Sequence, residues 1–144
     1  MSEENIAVTR RTFDEVWNEG DLDVIDEVTA EDFVDHDPVL GDGDRDTIKS
    51  AVENYRAAFP DLEMTIHDIF AAGDKVVCRW TAQGTFENEM MGREPTGERG
   101  NPVEGITIDR FEDGKIVEAW GQWDVLRFMK NIGAIPDEAA TPAS

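Results

Sequence analysis

Four strand-like segments follow one another with no helix between them: Leu62 to Ala72, Lys75 to Glu87, Asn101 to Phe111 and Lys115 to Trp123. Tight turns at Gly73-Asp74 and Glu112-Asp113-Gly114 join the first pair and the last pair. Strands joined this way pair antiparallel, and the apolar face of the resulting sheet needs a cover. The cover lies mostly upstream. Ser2 is placed to cap a first helix that carries Ile6, Phe13, Val16 and Trp17 and stops at Gly20. Asp21 opens a short second helix with Leu22, Ile25 and Val28 on its core side. Asp46 is placed to cap a third, with Ile48, Ala51, Val52, Tyr55 and Phe59 at helical spacing before Pro60 forces the exit. Phe33 to His36 reads as a short strand, Leu40 to Asp46 as a loop, Asn88 to Gly100 as a mobile lid, and Val125 to Ile132 as a last helix. The order predicts an α+β fold, with N-terminal helices packed on one face of a curved antiparallel sheet.

The 144 residues predict a single domain over 1–135 and a frayed tail over 136–144. A net charge of -20 argues against nucleic acid or an anionic membrane as partner. The acidic residues are spread along the chain, and few of the basic ones are lysine. This pattern suggests a halophilic protein, because molar salt shortens the screening length to about 3 Å. No run of about 18 apolar residues is present for a membrane span, and Met1-Ser2-Glu3-Glu4 does not open like a secretory signal, so a cytoplasmic location is expected. The lone Cys78 has no partner for an internal disulfide, and no metal-ligand spacing surrounds it.

The last strand carries the chemistry that the sequence offers. Alternation puts Ile116, Glu118, Trp120, Gln122 and Asp124 on one side, and Val117, Ala119, Gly121 and Trp123 on the other. The first set joins an aromatic wall to an amide and a carboxylate, the composition of a small-molecule pocket. Asp124 also directly precedes Val125, where an N-cap would stand, and a cap's hydrogen bonds pull a carboxyl pKa down while a buried base needs it raised. Both roles stay open. Phosphate-binding glycine loops, dinucleotide fingerprints and nucleophile elbows are missing, so any chemistry must be acid–base work on a bound organic molecule. Asp35 and Asp37 point away from the face of His36, which makes Asp35-His36-Asp37 a poor chelate. Arg110 and Arg79 need partners if buried, and Glu118 is a natural one. Trp17, Trp80, Trp120, Trp123, Met90 and Met91 are candidates for the pocket wall or its lid.

Several motifs occur together and in order: Trp17-Asn18-Glu19-Gly20-Asp21, Asp32-Phe33-Val34-Asp35-His36-Asp37-Pro38, Phe59-Pro60-Asp61, Gly84-Thr85, Gly92 with Pro95-Thr96-Gly97, Asp113-Gly114-Lys115-Ile116, and Glu118-Ala119-Trp120 up to Asp124. In this the chain resembles the SnoaL-like polyketide cyclases, part of the superfamily of cone-shaped α+β folds that includes nuclear transport factor 2 and ketosteroid isomerase. The resemblance implies an NTF2-like cone or α+β barrel enclosing a pocket. It also implies intramolecular aldol condensation of a hydrophobic carbonyl compound without metal or cofactor, and a homodimer or higher homo-oligomer. Asp124 matches the family's acid/base and His36 a cavity-facing histidine, with Trp120, Gln122, Arg110, Trp17 and Met91 expected to bind substrate. Members often continue Gly-Thr with a histidine where this chain has Phe86-Glu87. Two other readings share the fold: an isomerase or dehydratase, and a non-catalytic binding or protein-interaction module.

Overall fold

A computed structural model describes residues 2–136. The first helix, α1 (Ser2–Arg11), passes directly into a π-helical segment, Thr12–Trp17. The wider turn brings Thr12, Phe13, Val16 and Trp17 together toward the interior. Arg56 donates to the Trp17 carbonyl at 2.8 Å, and Gly20 turns the chain at a φ of 76°. Then come α2 (Asp23–Val28), β1 (Thr29–Asp37), β2 (Gly41–Gly43) and α3 (Arg45–Ala58). The cap of α3 is Asp44 and not Asp46: its side chain accepts from the Thr47 amide at 3.0 Å, which leaves Asp46 in the first turn. The remaining elements are β3 (Glu63–Ala72), β4 (Lys75–Gln83), β5 (Val103–Glu112), β6 (Lys115–Trp123) and α4 (Val125–Asn131). Residues 137–144, most of the expected tail, lie outside the described residues.

The six strands form one open sheet in the order β2-β1-β6-β5-β4-β3. All neighbours are antiparallel except β1 and β6, which run parallel. This pair departs from the all-antiparallel expectation. It arises because β1 returns from the helical layer and not from a hairpin. The loop expected over Leu40 to Asp46 holds the short edge strand β2, and β4 stops at Gln83, so 84–102 is an irregular connection.

The helices and the inner sheet face bury Val16, Val24, Val28, Val52, Val76 and Ile116 in one cluster. Each such side chain contributes about 1.5–3 kcal/mol through burial. A second cluster joins Phe59, Phe86, Val103, Phe128 and Ile132 at the other end. Several of the sequence motifs hold these parts together. The Asn18 side chain exchanges two hydrogen bonds with the backbone of Met64 (2.7 and 3.0 Å), fastening the helical layer to β3. Asp61 accepts from the amide and the hydroxyl of Thr85 (2.6 and 2.7 Å), so Phe59-Pro60-Asp61 and Gly84-Thr85 form one clamp. Phe86 stacks on Phe59 in the core.

In β6 and in β3 the antiparallel pairing passes over one residue, which switches the alternation, and β1 is irregular against β6 between Thr29 and Val34. In β6 the pairing steps from Arg110 opposite Glu118 to Phe111 opposite Ile116, leaving Val117 bulged. Beyond the bulge Ala119, Gly121 and Trp123 face inward with Ile116, while Glu118, Trp120 and Gln122 face outward. In β3 the residue passed over is His67, whose ring bonds the Thr81 hydroxyl at 3.0 Å.

Candidate functional site

Between the helices and the inner sheet face lies a cavity of about 220 Å³. Its walls are mostly apolar and aromatic: Phe13 and Trp17 from the π-helical segment, Tyr55 and Phe59 at the end of α3, Trp80 from β4, Trp123 from β6 and Phe128 from α4. Trp80 is held in place from both sides. Its indole N–H donates to Thr107 at 2.9 Å, and its ring lies on Gly105, where a Cβ would overlap it. Into this enclosure project three carboxyl groups, Asp35 and Asp37 from β1 and Asp109 from β5. No lysine, arginine or histidine lines it among the described residues.

The three acids have different surroundings. Asp37 is fully engaged: one oxygen accepts the amides of Val39 (2.7 Å) and Leu40 (2.8 Å), and the other accepts the Trp123 indole N–H (3.2 Å). Asp109 is 5% exposed and accepts from the hydroxyl of the fully buried Thr9 at 2.9 Å. Burial pushes its carboxyl up to about 6, with the Thr9 hydrogen bond opposing the rise. Among the described residues no hydrogen bond or ion pair reaches the Asp35 carboxyl. Burial pushes it up to about 7, aided by the negative charges of Asp37 and Asp109 and opposed by His36. Tyr55 also faces the cavity, and burial together with Asp37 raises its hydroxyl to about 12, so it remains a donor at neutral pH. No group of three or more His, Cys, Asp or Glu side chains is arranged to hold a metal ion among the described residues.

Most of the side chains expected at the site stand elsewhere. Trp17 lines the cavity as expected; Trp120, Gln122, Arg110, Met91, His36 and Asp124 do not. The reason is the same in β1 and β6. Alternation holds from Phe33 in β1 and beyond the Val117 bulge in β6, but the opposite face is the inner one. His36 lies on the outer face, bonded through Nδ1 to Asp42 (2.6 Å) and through Nε2 to Glu118 (2.7 Å), and stacked on Trp120. These carboxylates raise the histidine's pKa, and His36 in turn lowers that of Glu118. Arg110 pairs there with Glu112 at 2.9 Å and Glu118 at 3.2 Å. Met91, 47% exposed, sits at a φ of 54° in the 84–102 connection. Asp124 caps α4, accepting from the Arg127 amide at 2.9 Å, and so aims Phe128 and Asn131 of that helix at the cavity. Asp35, Asp37, Asp109 and Tyr55 were not among the expected site residues. The available signal was the acid pair flanking His36, two residues apart on a strand that also places Phe33 inward.

Comparison with known proteins finds the same fold. AclR, a candidate hydroxylase from Streptomyces galilaeus, superposes with a TM-score of 0.84 at 30% identity, over 94% of this chain and 84% of its own. A candidate SnoaL-like polyketide cyclase from Jannaschia sp. CCS1 gives 0.83 at 25% identity, over 94% and 95%. IdmH, a candidate polyketide cyclase from Streptomyces antibioticus, gives 0.77 at 30% identity, over 90% and 98%. Comparison with curated protein sequences gives no match. The model of one family, described as SnoaL-like polyketide cyclase, matches residues 7–132, nearly the whole described chain with its cavity included, and the protein belongs to that family.

Proposed function

We propose that the protein is a cofactor-independent acid/base enzyme of the cyclase or aldol type, acting on a hydrophobic carbonyl compound in the central cavity, with Asp35 as the proton carrier. The observation that supports this most is the Asp35 carboxyl itself: it faces an apolar enclosure, lacks a hydrogen-bond partner among the described residues, and is raised to about 7 by burial. A general base works best when poised near the working pH. In the reaction, ionised Asp35 takes a proton from the carbon beside a substrate carbonyl, leaving an enolate. The enolate carbon bonds to a second carbonyl carbon of the same molecule, and the alkoxide so formed takes the proton back from Asp35. Tyr55, which also lines the cavity, serves in this reading as the hydrogen-bond donor to the enolate oxygen. A tyrosine in the cavity also favours a second reading, an isomerase or dehydratase, in which the same proton is returned to another carbon or a hydroxyl leaves as water. The expected homo-oligomer is kept as part of the proposal. It is supported by a row of outer-face side chains, Phe70, Val77, Ile108 and Trp120, paired across adjacent strands.

The test is hydrogen–deuterium exchange at the α-carbon of a small bicyclic ketone such as 2-tetralone, followed by proton NMR. The wild-type protein accelerates exchange, and Asp35→Asn lowers the rate about 10²-fold or more. Asp124→Asn, which removes a carboxylate outside the cavity and keeps an N-cap, keeps most of the rate. Retained exchange in Asp35→Asn together with its loss in Asp124→Asn would return the proton-carrying role to Asp124. Absence of exchange with every ketone tried would favour a binding module.

A further inference from the structure

Among the hydroxyl groups that line the cavity, Thr12 already gives its hydrogen to the Thr9 carbonyl at 2.6 Å, and Thr29 gives its own to the Ile25 carbonyl. Thr107 differs. Its oxygen accepts the indole N–H of Trp80 at 2.9 Å, and among the described residues nothing accepts the hydrogen of its hydroxyl. A threonine hydroxyl has one donor and two acceptor sites, so the bond from Trp80 fixes the oxygen and leaves the hydrogen for a ligand. The sheet leaves room for that ligand beside it. The partner of Thr107 across the β5–β6 ladder is Gly121, which also lines the cavity, and a Cβ added at Gly121 would meet no atom within 4 Å. Gly105 is the contrasting case, since the Trp80 ring fills the space that its Cβ would take. Packing therefore explains Gly105 and leaves Gly121 unexplained. A glycine inside a strand weakens it and marks a bulge, a bend or the close approach of another group. Two residues earlier Ala119 keeps the floor low again, pairing with Asp35 on one side and with Asp109 on the other. The inner face of β6 is thus a smooth floor, with Asp35 on one bank and Thr107 on the other, on strands about 9.5 Å apart.

We propose that Thr107 and the open floor at Gly121 form an oxygen-binding subsite of the cavity: a flat carbonyl compound lies over Gly121 and Ala119, and the Thr107 hydroxyl donates a hydrogen bond to its oxygen. This rests on the cavity being the reaction site and deepens that reading, because the bond fixes which way round the ligand lies and so which α-carbon faces Asp35. A donor already held in place by Trp80 needs no reorganisation as negative charge develops on the oxygen. Trp80 thereby acts on the ligand through Thr107 as well as through its own ring.

The test compares a ketone with the hydrocarbon of the same shape, 2-tetralone with tetralin, by ligand-observed NMR. Thr107→Val keeps the shape of the side chain and removes the hydroxyl; it is expected to weaken 2-tetralone about three- to tenfold and to leave tetralin within about twofold. Thr107→Ser restores the affinity for the ketone. With 2-tetralone labelled with carbon-13 at the carbonyl, the bound resonance moves upfield in Thr107→Val relative to the wild-type protein, as loss of a hydrogen bond requires. Gly121→Val fills the floor without a clash at its Cβ, keeps the melting temperature and weakens both probes at least about tenfold, so the subsite is tested even if Thr107→Val fails to fold. Equal losses for ketone and hydrocarbon in Thr107→Val would mean that the hydroxyl only steadies Trp80, and would overturn the proposal. An unmoved carbonyl resonance, undiminished binding in Gly121→Val, or failure of the wild-type protein to bind either probe would do the same. Because no turnover is read, this subsite can fail while Asp35→Asn still abolishes exchange, and the reverse also holds.

Discussion

Asp35 and Asp109 make the protein's stability depend on pH in a definite direction. Both carboxyls have folded-state pKa values above the ordinary aspartate range, about 7 and about 6, with burial as the main cause. At these two sites the folded state holds protons that the unfolded state has already released, so their contribution to stability is fully present below about pH 4 and is lost as pH rises through 6 to 7. The loss approaches about 1.4 kcal/mol for every pH unit that separates the folded and unfolded pKa of each carboxyl. Asp35→Asn and Asp109→Asn are expected to stabilise the protein at pH 8 and to be close to neutral at pH 4. Thermal melts across that range check this, and an equal effect at both pH values would contradict it. Asp124 gives the opposite kind of residue-scale prediction. Asp124→Ala removes the hydrogen bond to the Arg127 amide and should cost about 1 kcal/mol in denaturant unfolding at neutral pH. The sequence already offered this capping role beside the catalytic one. What it could not supply was the inward direction, because a carboxylate at a strand end reads the same on either face.

At the scale of elements, the helices, the four late strands and their turns were legible because each has its own period or turn chemistry. Asp113 and Gly114 both take positive φ at the β5–β6 turn, as a tight hairpin requires. The parallel pairing of β1 with β6 was not legible, since it depends on contacts between residues far apart in the chain, such as His36 with Trp120. The bulge at Val117 was equally hidden. One extra residue moved Ile116 onto the face of Ala119 and Gly121, so a set grouped by strict alternation was split between core and surface. The π-helical segment escaped for a similar reason: nothing in a helical sequence pattern announces one wider turn. Trp80 on Gly105 tests the packing of β4 against β5. Gly105→Ala places a Cβ inside the indole and should cost about 1–3 kcal/mol while weakening ligand binding, because Trp80 must move toward the cavity. Unchanged melting and binding would contradict this arrangement.

For the whole molecule, the charge of -20 sets the response to salt. The acidic residues are spread along the chain, and among the described residues some are paired in bridges such as Arg11–Glu15, Lys49–Asp26 and Arg79–Asp68. Screening relieves the remaining repulsion. The melting temperature is expected to climb steadily from about 0.1 M to about 3 M potassium chloride; a flat or falling profile would remove the halophilic reading and leave an ordinary acidic protein. The family and the layered architecture could be read from the sequence because they rest on many weak motifs in order. The clamps Asn18–Met64 and Asp61–Thr85 show that several of these motifs hold the scaffold. Of the side chains expected at the site, Trp17 lines the cavity and the others stand outside it.

Asp35, a cavity acid with no hydrogen-bond partner among the described residues, is the proposed proton carrier. The pH dependence of ketone α-exchange in the wild-type protein and in Asp35→Asn tests it most directly. The base must be ionised to act, so the wild-type rate should rise with pH to a plateau, with its midpoint near about 7, and this rise should vanish in Asp35→Asn. A midpoint near about 4, the ordinary aspartate range, or a rise that survives the substitution, would contradict the account.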